Sequence, residues 1–314
     1  MKKYLTGLAL GLLAIGLWNG FLLTSGAAMA QTSTIESATN GIADQQPDDE
    51  LQTGASLAVD YKSPYSIQYT FSAHKRTGPD SVPPRGKSEE ESYTPADRWY
   101  SKEIREKFGS WGPEPRHYSS PQADDDVANS LAWKRQRVLT VGESLIGMAY
   151  QHHHIPAWDP PADWPWKPVA WGKQSRGLDC SNFSSWLYNY GLGIKLLTNV
   201  HKQAETTQVM AADDMGVILL KTIPASSDYD ALVKSLVAGD LLYIKNKKDE
   251  ISHVIMWVGE YGRSPDGRPL VLDSTGSGHK DSNGNDIPVG VHLRPFTPDS
   301  WYFKSFSHAH RIIQ

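Results

Sequence analysis

The chain of 314 residues contains one cysteine. That excludes any intrachain disulfide and any cysteine-rich zinc site, so Cys180 is either a small buried hydrophobe or a reactive thiol. An excess of positive charge is also missing. The 31 Lys and Arg are outnumbered by 35 Asp and Glu, for a formal net charge of −4, which excludes a nucleic-acid binder driven by bulk charge. The sequence shows no internal repeat and no HExxH pattern. Apolar residues are few at 39% while Gly (26) and Pro (20) are plentiful, so part of the chain is expected to lie outside a packed core. Eleven Trp and fourteen Tyr stand on the other side of the account, large aromatics that furnish cores or line grooves. One compact domain with an irregular attachment is expected.

Residues 1–30 carry Lys2 and Lys3, an uncharged apolar run from Tyr4 to Leu23, and small residues at Ala28 and Ala30. This is the pattern of a secretory signal peptide, with cleavage expected after Ala30 and a secreted or periplasmic product. The run is long for a signal peptide, so an uncleaved membrane anchor is the alternative, although Gly11, Gly16, Asn19 and Gly20 weaken it as a span. Contact with the membrane is expected only in that case. Residues 31–56 are polar and acidic, the composition of a disordered tether. Residues 57–125 combine a strand-like alternation near Ser66, breaker-rich charged sequence and a short helix between Pro95 and Gly112, and receive no domain assignment. An exported protein with one unpaired cysteine is unusual, which favours a working thiol.

The catalytic domain is expected over 126–314. A helix over about 125–150 is read from Val127, Leu131, Trp133, Val138, Val141, Leu145 and Met148 at near-helical intervals. A Pro/Trp-rich loop, a short helix over 180–190 and apolar strands at 240–245, 252–258, 269–273, 289–294 and 306–313 follow. Helices first and antiparallel strands afterwards make an α+β arrangement.

Around Cys180, residues Phe183, Trp186, Leu187 and Tyr190 share one helix face, with Asp179 as N-cap and Gly191 as the expected stop. Cys180 then falls in the first turn, where free backbone N–H groups and the helix dipole favour a thiolate and can hold a developing oxyanion. A thiolate nucleophile needs a base. His253 opens the second strand of a hairpin, and a strand holds a side chain rigidly. Asp273, at the end of the strand PLVLD, is placed to fix the tautomer of His253 or simply to form a turn.

These residues resemble the NlpC/P60 cysteine peptidases, whose pattern is Asp-Cys-Ser at a helix start, a Gly-Asp-Leu strand and a His-Val hairpin strand. Here they are Asp179-Cys180-Ser181, Gly239-Asp240-Leu241 and His253-Val254, with Gly147-Met148-Ala149-Tyr150 and Trp171-Gly172 matching upstream. The resemblance covers about residues 130–314. It implies a papain-like α+β core with the helices packed on an antiparallel sheet, a hydrolase cutting peptidoglycan stem peptides at γ-D-glutamyl-diamino acid bonds, and no cofactor. It carries over Cys180 as nucleophile and His253 as base, aligns Asp273 with the third polar position, and points to Tyr150, Trp171, Asp179 and Ser181 as substrate-binding residues. Three departures stand out: Asn182 where the family has Gly, an insertion between Tyr150 and Trp171, and Asp273 where the family often has a second His. The alternatives are a non-catalytic module binding cell-wall glycan or peptide, and a related amidase or acyltransferase on another amide or a lipid.

His152, His153 and His154 invite a metal reading, but consecutive residues rarely converge on one ion, and no metal site is expected. Trp158, Trp164, Trp166 and Trp171 either form an aromatic wall or pack the loop.

Overall fold

A computed structural model describes residues 61–70, 91–121, 130–161, 164, 176–212 and 216–314. The expected signal peptide and tether, Trp166 and Trp171 lie outside the described residues. So does the start of the expected helix before Ser130.

Helices begin where the sequence supplies a short polar cap. They are α1 (Lys102–Phe108), α2 (Leu131–Glu143), α3 (Cys180–Leu192), α4 (Val200–Glu205), α5 (Tyr229–Ser235) and α6 (Trp301–Lys304). Their caps Ser101, Ser130, Asp179, Asn199, Asp228 and Ser300 each accept from the backbone N–H three residues on. Such a cap is worth about 1 kcal/mol. Helix α2 stops at Glu143, short of the expected end at Tyr150. The chain turns there because Gly147 (φ 87°) and Met148 leave the helix to exchange hydrogen bonds with the backbone of Val291. Leu145 and Met148 still reach the core from that turn. Helix α3 runs through Gly191 and ends at Gly193 (φ 66°), which provides the left-handed C-cap that the sequence reading assigned to Gly191.

The strands are β1 (Ser66–Ile67), β2 (Ile194–Lys195), β3 (Gln208–Ala211), β4 (Val217–Leu219), β5 (Lys221–Pro224), β6 (Leu241–Lys245), β7 (Ile251–Trp257), β8 (Gly262–Arg263), β9 (Leu270–Thr275), β10 (His279–Lys280), β11 (Asp286–Ile287), β12 (Gly290–Pro295) and β13 (Phe306–Arg311). Six of them form one antiparallel sheet in the order β12-β9-β7-β6-β13-β5. Period-two alternation divides the sheet's apolar residues between two cores. Leu241, Tyr243, Val254, Met256, Leu272 and Leu293 pack with α2 and α3, while Leu242, Ile244, Ile255, Trp257, Val271 and Phe296 pack with α5 and α6. Gly142 of α2 lies so close to Leu187 and Leu272 that a Cβ would approach their methyls to 2.7 and 2.3 Å. The helix layer therefore sits tightly on β9, the strand that carries Asp273. The fold is α+β, with the cysteine helix laid on an antiparallel sheet.

Described parts of the N-terminal region pack on this core. Strand β1 pairs with β8, and Tyr65, Ile67 and Trp99 join the helix-side core. Tyr69 donates to Glu143 Oε2 at 3.0 Å, and Asn189 of α3 bonds the backbones of Tyr118 and Arg116. Among the described residues no helix is long and apolar enough to cross a membrane.

Candidate active site

Cys180 is the first residue of α3, and Asp179 Oδ1 caps the helix through Asn182 N (2.8 Å) and Asn182 Nδ2 (2.9 Å). Asn182, the residue that departs from the family pattern, is thus part of the cap. The approach to the helix is pinned twice. Ser274 Oγ, next to Asp273, donates to Leu178 O at 2.6 Å, and Leu178 N donates to Ala149 O at 3.3 Å. Gly177 permits this close passage, since a Cβ there would stand 2.4 Å from Ala149 O.

His253 projects from β7 and Asp273 from β9. The ladder between these strands consists of Met256 with Leu272 and Trp257 with Val271. Continued in that register, Asp273 falls opposite Ile255, on the same face as His253 and one diagonal step away. His253 Nε2 is 2.9 Å from Asp273 Oδ1, with both side chains buried. The contact is an ion pair by distance, but its N–H does not point along the line to Oδ1, so it is not an aligned hydrogen bond. With Nε2 turned to Asp273, Nδ1 is the ring nitrogen left for the thiol. Asp273 lies within β9, two residues before its end, which removes the turn-forming alternative.

The electrostatics link the three groups. Burial pushes the Cys180 thiol up, opposed chiefly by the neighbouring His253. Burial would push His253 down, but the Asp273 carboxylate and Cys180 outweigh it and raise it. Burial would raise Asp273, but His253, Arg294 and the Tyr302 hydroxyl hold it below the usual carboxylate range. Arg294 is fully buried, with Nε 4.0 Å from Asp273 Oδ2. A thiolate and a carboxylate are thus matched by an imidazolium and a guanidinium, so forming the thiolate–imidazolium pair leaves the site neutral.

Of the other expected site residues, Tyr150, Asp179 and Ser181 are described and Trp171 is not. Asp179 Oδ2 is 2.9 Å from His152 Nδ1, and Ser181 Oγ donates to Thr198 O at 2.6 Å. Tyr150 is buried, with its ring edge-to-face on His152 at 5.5 Å. The three consecutive histidines point to separate partners: His152 to Asp179, His153 edge-on to the Trp158 ring, and His154 Nδ1 to Gly112 O at 3.0 Å. Trp158 and Trp164 are buried against each other and form interior packing.

Sequence reasoning missed Arg294, Trp301 and Tyr302. Tyr302 donates its hydroxyl to Asp273 Oδ2 in a short contact, and Trp301 stacks on the His253 ring at 5.7 Å. The only advance signal for the two aromatics is the cap-like Ser300 before them, which is too common to single out, and Arg294 on β12 has none.

Residues 167–278 match the NlpC/P60 family. That match assigns the segment to the NlpC/P60 family. It contains Cys180, His253 and Asp273, and ends before Arg294 and Tyr302. A solved structure of an NlpC/P60 family protein from Bacillus cereus ATCC 10987 is 16% identical, covering 57% of this chain and 40% of its own, with a TM-score of 0.33. This chain therefore spans well under half the length of that NlpC/P60 protein. No curated protein matches the chain.

Proposed function

We propose that this protein is an exported thiol hydrolase that cuts amide bonds of peptidoglycan stem peptides, of the γ-D-glutamyl-diamino acid type. The observation that carries the reading is a single one: a histidine bracketed by a buried carboxylate and a cysteine at a helix N-terminus, within a segment of a cell-wall peptidase family. In this reading Cys180 Sγ attacks the amide carbonyl while His253 holds the thiol proton. The backbone N–H groups of the first turn of α3, of which the Asp179 side chain takes only that of Asn182, stabilise the oxyanion. His253 then protonates the departing amine, leaving a thioester on Cys180. Water, deprotonated by His253, releases the acid and restores the thiol. Asp273 orients the imidazole and balances its charge. Tyr150, Asp179 and Ser181 are assigned to the bound peptide, and Trp171, outside the described residues, is assigned to it by the family resemblance alone. Export rests on the pattern of residues 1–30, and the mature chain would begin at Gln31.

The test is digestion of purified peptidoglycan, with fragments identified by mass and Cys180→Ala as control. New amino termini on diamino acid residues are expected with the wild-type protein alone. Tight binding without new termini would favour a binding module, and cleavage only of other amides or esters would favour the amidase or acyltransferase reading.

A further inference from the structure

Asp273 has two oxygens, and they face different partners. Oδ1 stands 2.9 Å from His253 Nε2, whereas Oδ2 accepts the Tyr302 hydroxyl. Arg294 is not a substitute for that hydroxyl. Its Nε is 4.0 Å from Oδ2, and its Nη2 is spent on the carbonyls of Pro288 (2.7 Å) and Gly290 (3.3 Å). Tyr302 itself is held from several sides. It is buried, it follows Trp301 in a helix capped by Ser300, and its ring lies nearly parallel to the His253 imidazole, 6.2 Å away at 13°. From the opposite side, His279 Nε2 approaches the Tyr302 oxygen at 2.8 Å. A phenol has one proton, and an ionised carboxylate is the stronger acceptor, so the hydroxyl donates to Asp273 and accepts from the Nε2–H tautomer of His279, whose Nδ1, 3.1 Å from Gly278 O, then carries no proton. His279 and Tyr302 also line a pocket of about 470 Å³ with Lys247, Lys280 and Trp301, which places the outer end of this chain of contacts at the surface.

We propose that Tyr302 is a positioning residue: by fixing Oδ2 it holds the Asp273 carboxylate with Oδ1 toward His253, and so sets the imidazole that activates Cys180. The proposal rests on the reading of Cys180 and His253 as nucleophile and base. Tyr302 touches neither the thiol nor the scissile bond in this scheme and acts only through Asp273. Without its hydroxyl the carboxylate is free to turn about its Cβ–Cγ bond, and its charge is no longer directed at Nε2. The groups that set the behaviour of this cluster are Cys180, His253, Asp273, Arg294, His279 and the cross-strand neighbour of Asp273, His292.

Alkylation of the single cysteine by iodoacetamide, followed against pH in the full chain, tests this without any assumption about substrate. Rates are referred to the folded fraction measured by circular dichroism. Tyr302→Phe is expected to slow alkylation at pH 7 roughly five- to tenfold and move the rate midpoint to higher pH, as expected from losing one charge-assisted hydrogen bond. In an Asp273→Asn background the same change is expected to do little, because the group through which it acts has already lost its charge. A Tyr302→Phe profile superimposed on wild type would overturn the proposal, as would an equal slowing in both backgrounds. A Tyr302→Phe protein that does not fold would also count against it, since the hydroxyl would then be holding the fold rather than the imidazole. His253→Ala separates the two levels. A wild-type alkylation profile in that variant refutes the base assignment itself, whereas a shifted profile there with an unshifted one for Tyr302→Phe refutes the positioning role alone.

Discussion

The Asp240 carboxylate grips the Arg311 guanidinium at two points, Nε to Oδ1 at 2.9 Å and Nη2 to Oδ2 at 2.7 Å. Asp240, the middle residue of the Gly-Asp-Leu motif, immediately precedes β6, and Arg311 ends β13, the neighbour of β6 in the sheet. Its Oδ2 also accepts from Val237 N at 2.9 Å, tying down the turn that enters β6. This motif aspartate is therefore architectural: it locks the last strand of the chain to the strand that pairs with the His253 strand.

Asp240→Ala should accordingly destabilise the fold while sparing the site. It leaves a partly buried guanidinium unpaired, and the expected loss is about 2–4 kcal/mol, allowing for the partial exposure of Arg311. Urea midpoints measure it. Activity per folded molecule should stay within about twofold of wild type, and a stable but inactive variant would place Asp240 in the chemistry instead.

Cys180→Ala should have the reverse profile. The side chain is buried at a helix start, and truncating it to a methyl removes only a sulfur's worth of packing, about 1 kcal/mol. Hydrolysis should be abolished with the melting temperature shifted by a few degrees at most. Activity within a few fold of wild type would sink the nucleophile assignment.

Much of the fold and part of the site were legible in the sequence, for identifiable reasons. The five central strands were found to within a few residues because their apolar alternation is strong, and the start of α3 because Asp179 is a good cap. Gly191 and Gly193 show where local reading fails. Both are glycines near a helix end, and what selects Gly193 is the left-handed backbone together with the approach of Tyr118 O and Ser120 N, within 2.8 Å of where a Cβ would stand. The end of α2 was misplaced for a similar reason, since Val291, more than 140 residues away, competes for the backbone of Gly147 and Met148. Tyr302 and Arg294 were not legible because nothing local marks a residue that reaches Asp273 from another element.

Asp273 should tolerate Asn better than Ala. The amide still accepts a hydrogen bond but brings no charge to an imidazolium, so Asp273→Asn is expected to lose roughly a hundredfold in activity. Asp273→Ala should lose more, and stability as well, because Arg294 is fully buried with this carboxylate as its nearby counter-charge. Both should retain more activity than Cys180→Ala or His253→Ala. Activity assays at equal folded concentration decide it, and wild-type rates in both Asp273 variants would transfer the orienting role to another group, with His292, the register partner of Asp273, next in line.

The protein should lose stability in mild acid, and its buried histidines say why. Burial, with nearby positive groups, lowers His153 and His292 to about 3 and His279 and His310 to about 4. In the unfolded chain each titrates near 6.5. Between those values the unfolded state binds protons that the folded state refuses, so the stability contributed by these neutral rings is complete above about pH 6.5 and is lost as pH falls toward 4. His253 has the opposite sign. Raised in the folded state by Asp273 and Cys180, it contributes stability that is complete below about pH 6.5 and is lost as pH rises through its folded value, so below pH 6.5 it adds no slope of its own. Urea midpoints should therefore fall as pH drops from about 6.5 to 4.5, with no such fall between pH 7.5 and 6.5. His310 offers the cleanest variant, because its Nδ1 has no hydrogen-bond partner and its ring packs against Tyr243 at 4.8 Å, so Phe can occupy the same space. His310→Phe should flatten the slope by at most roughly 1.4 kcal/mol per pH unit, the value for one refused proton. An unchanged slope would mean that His310 takes up its proton in the folded state as readily as in the unfolded one.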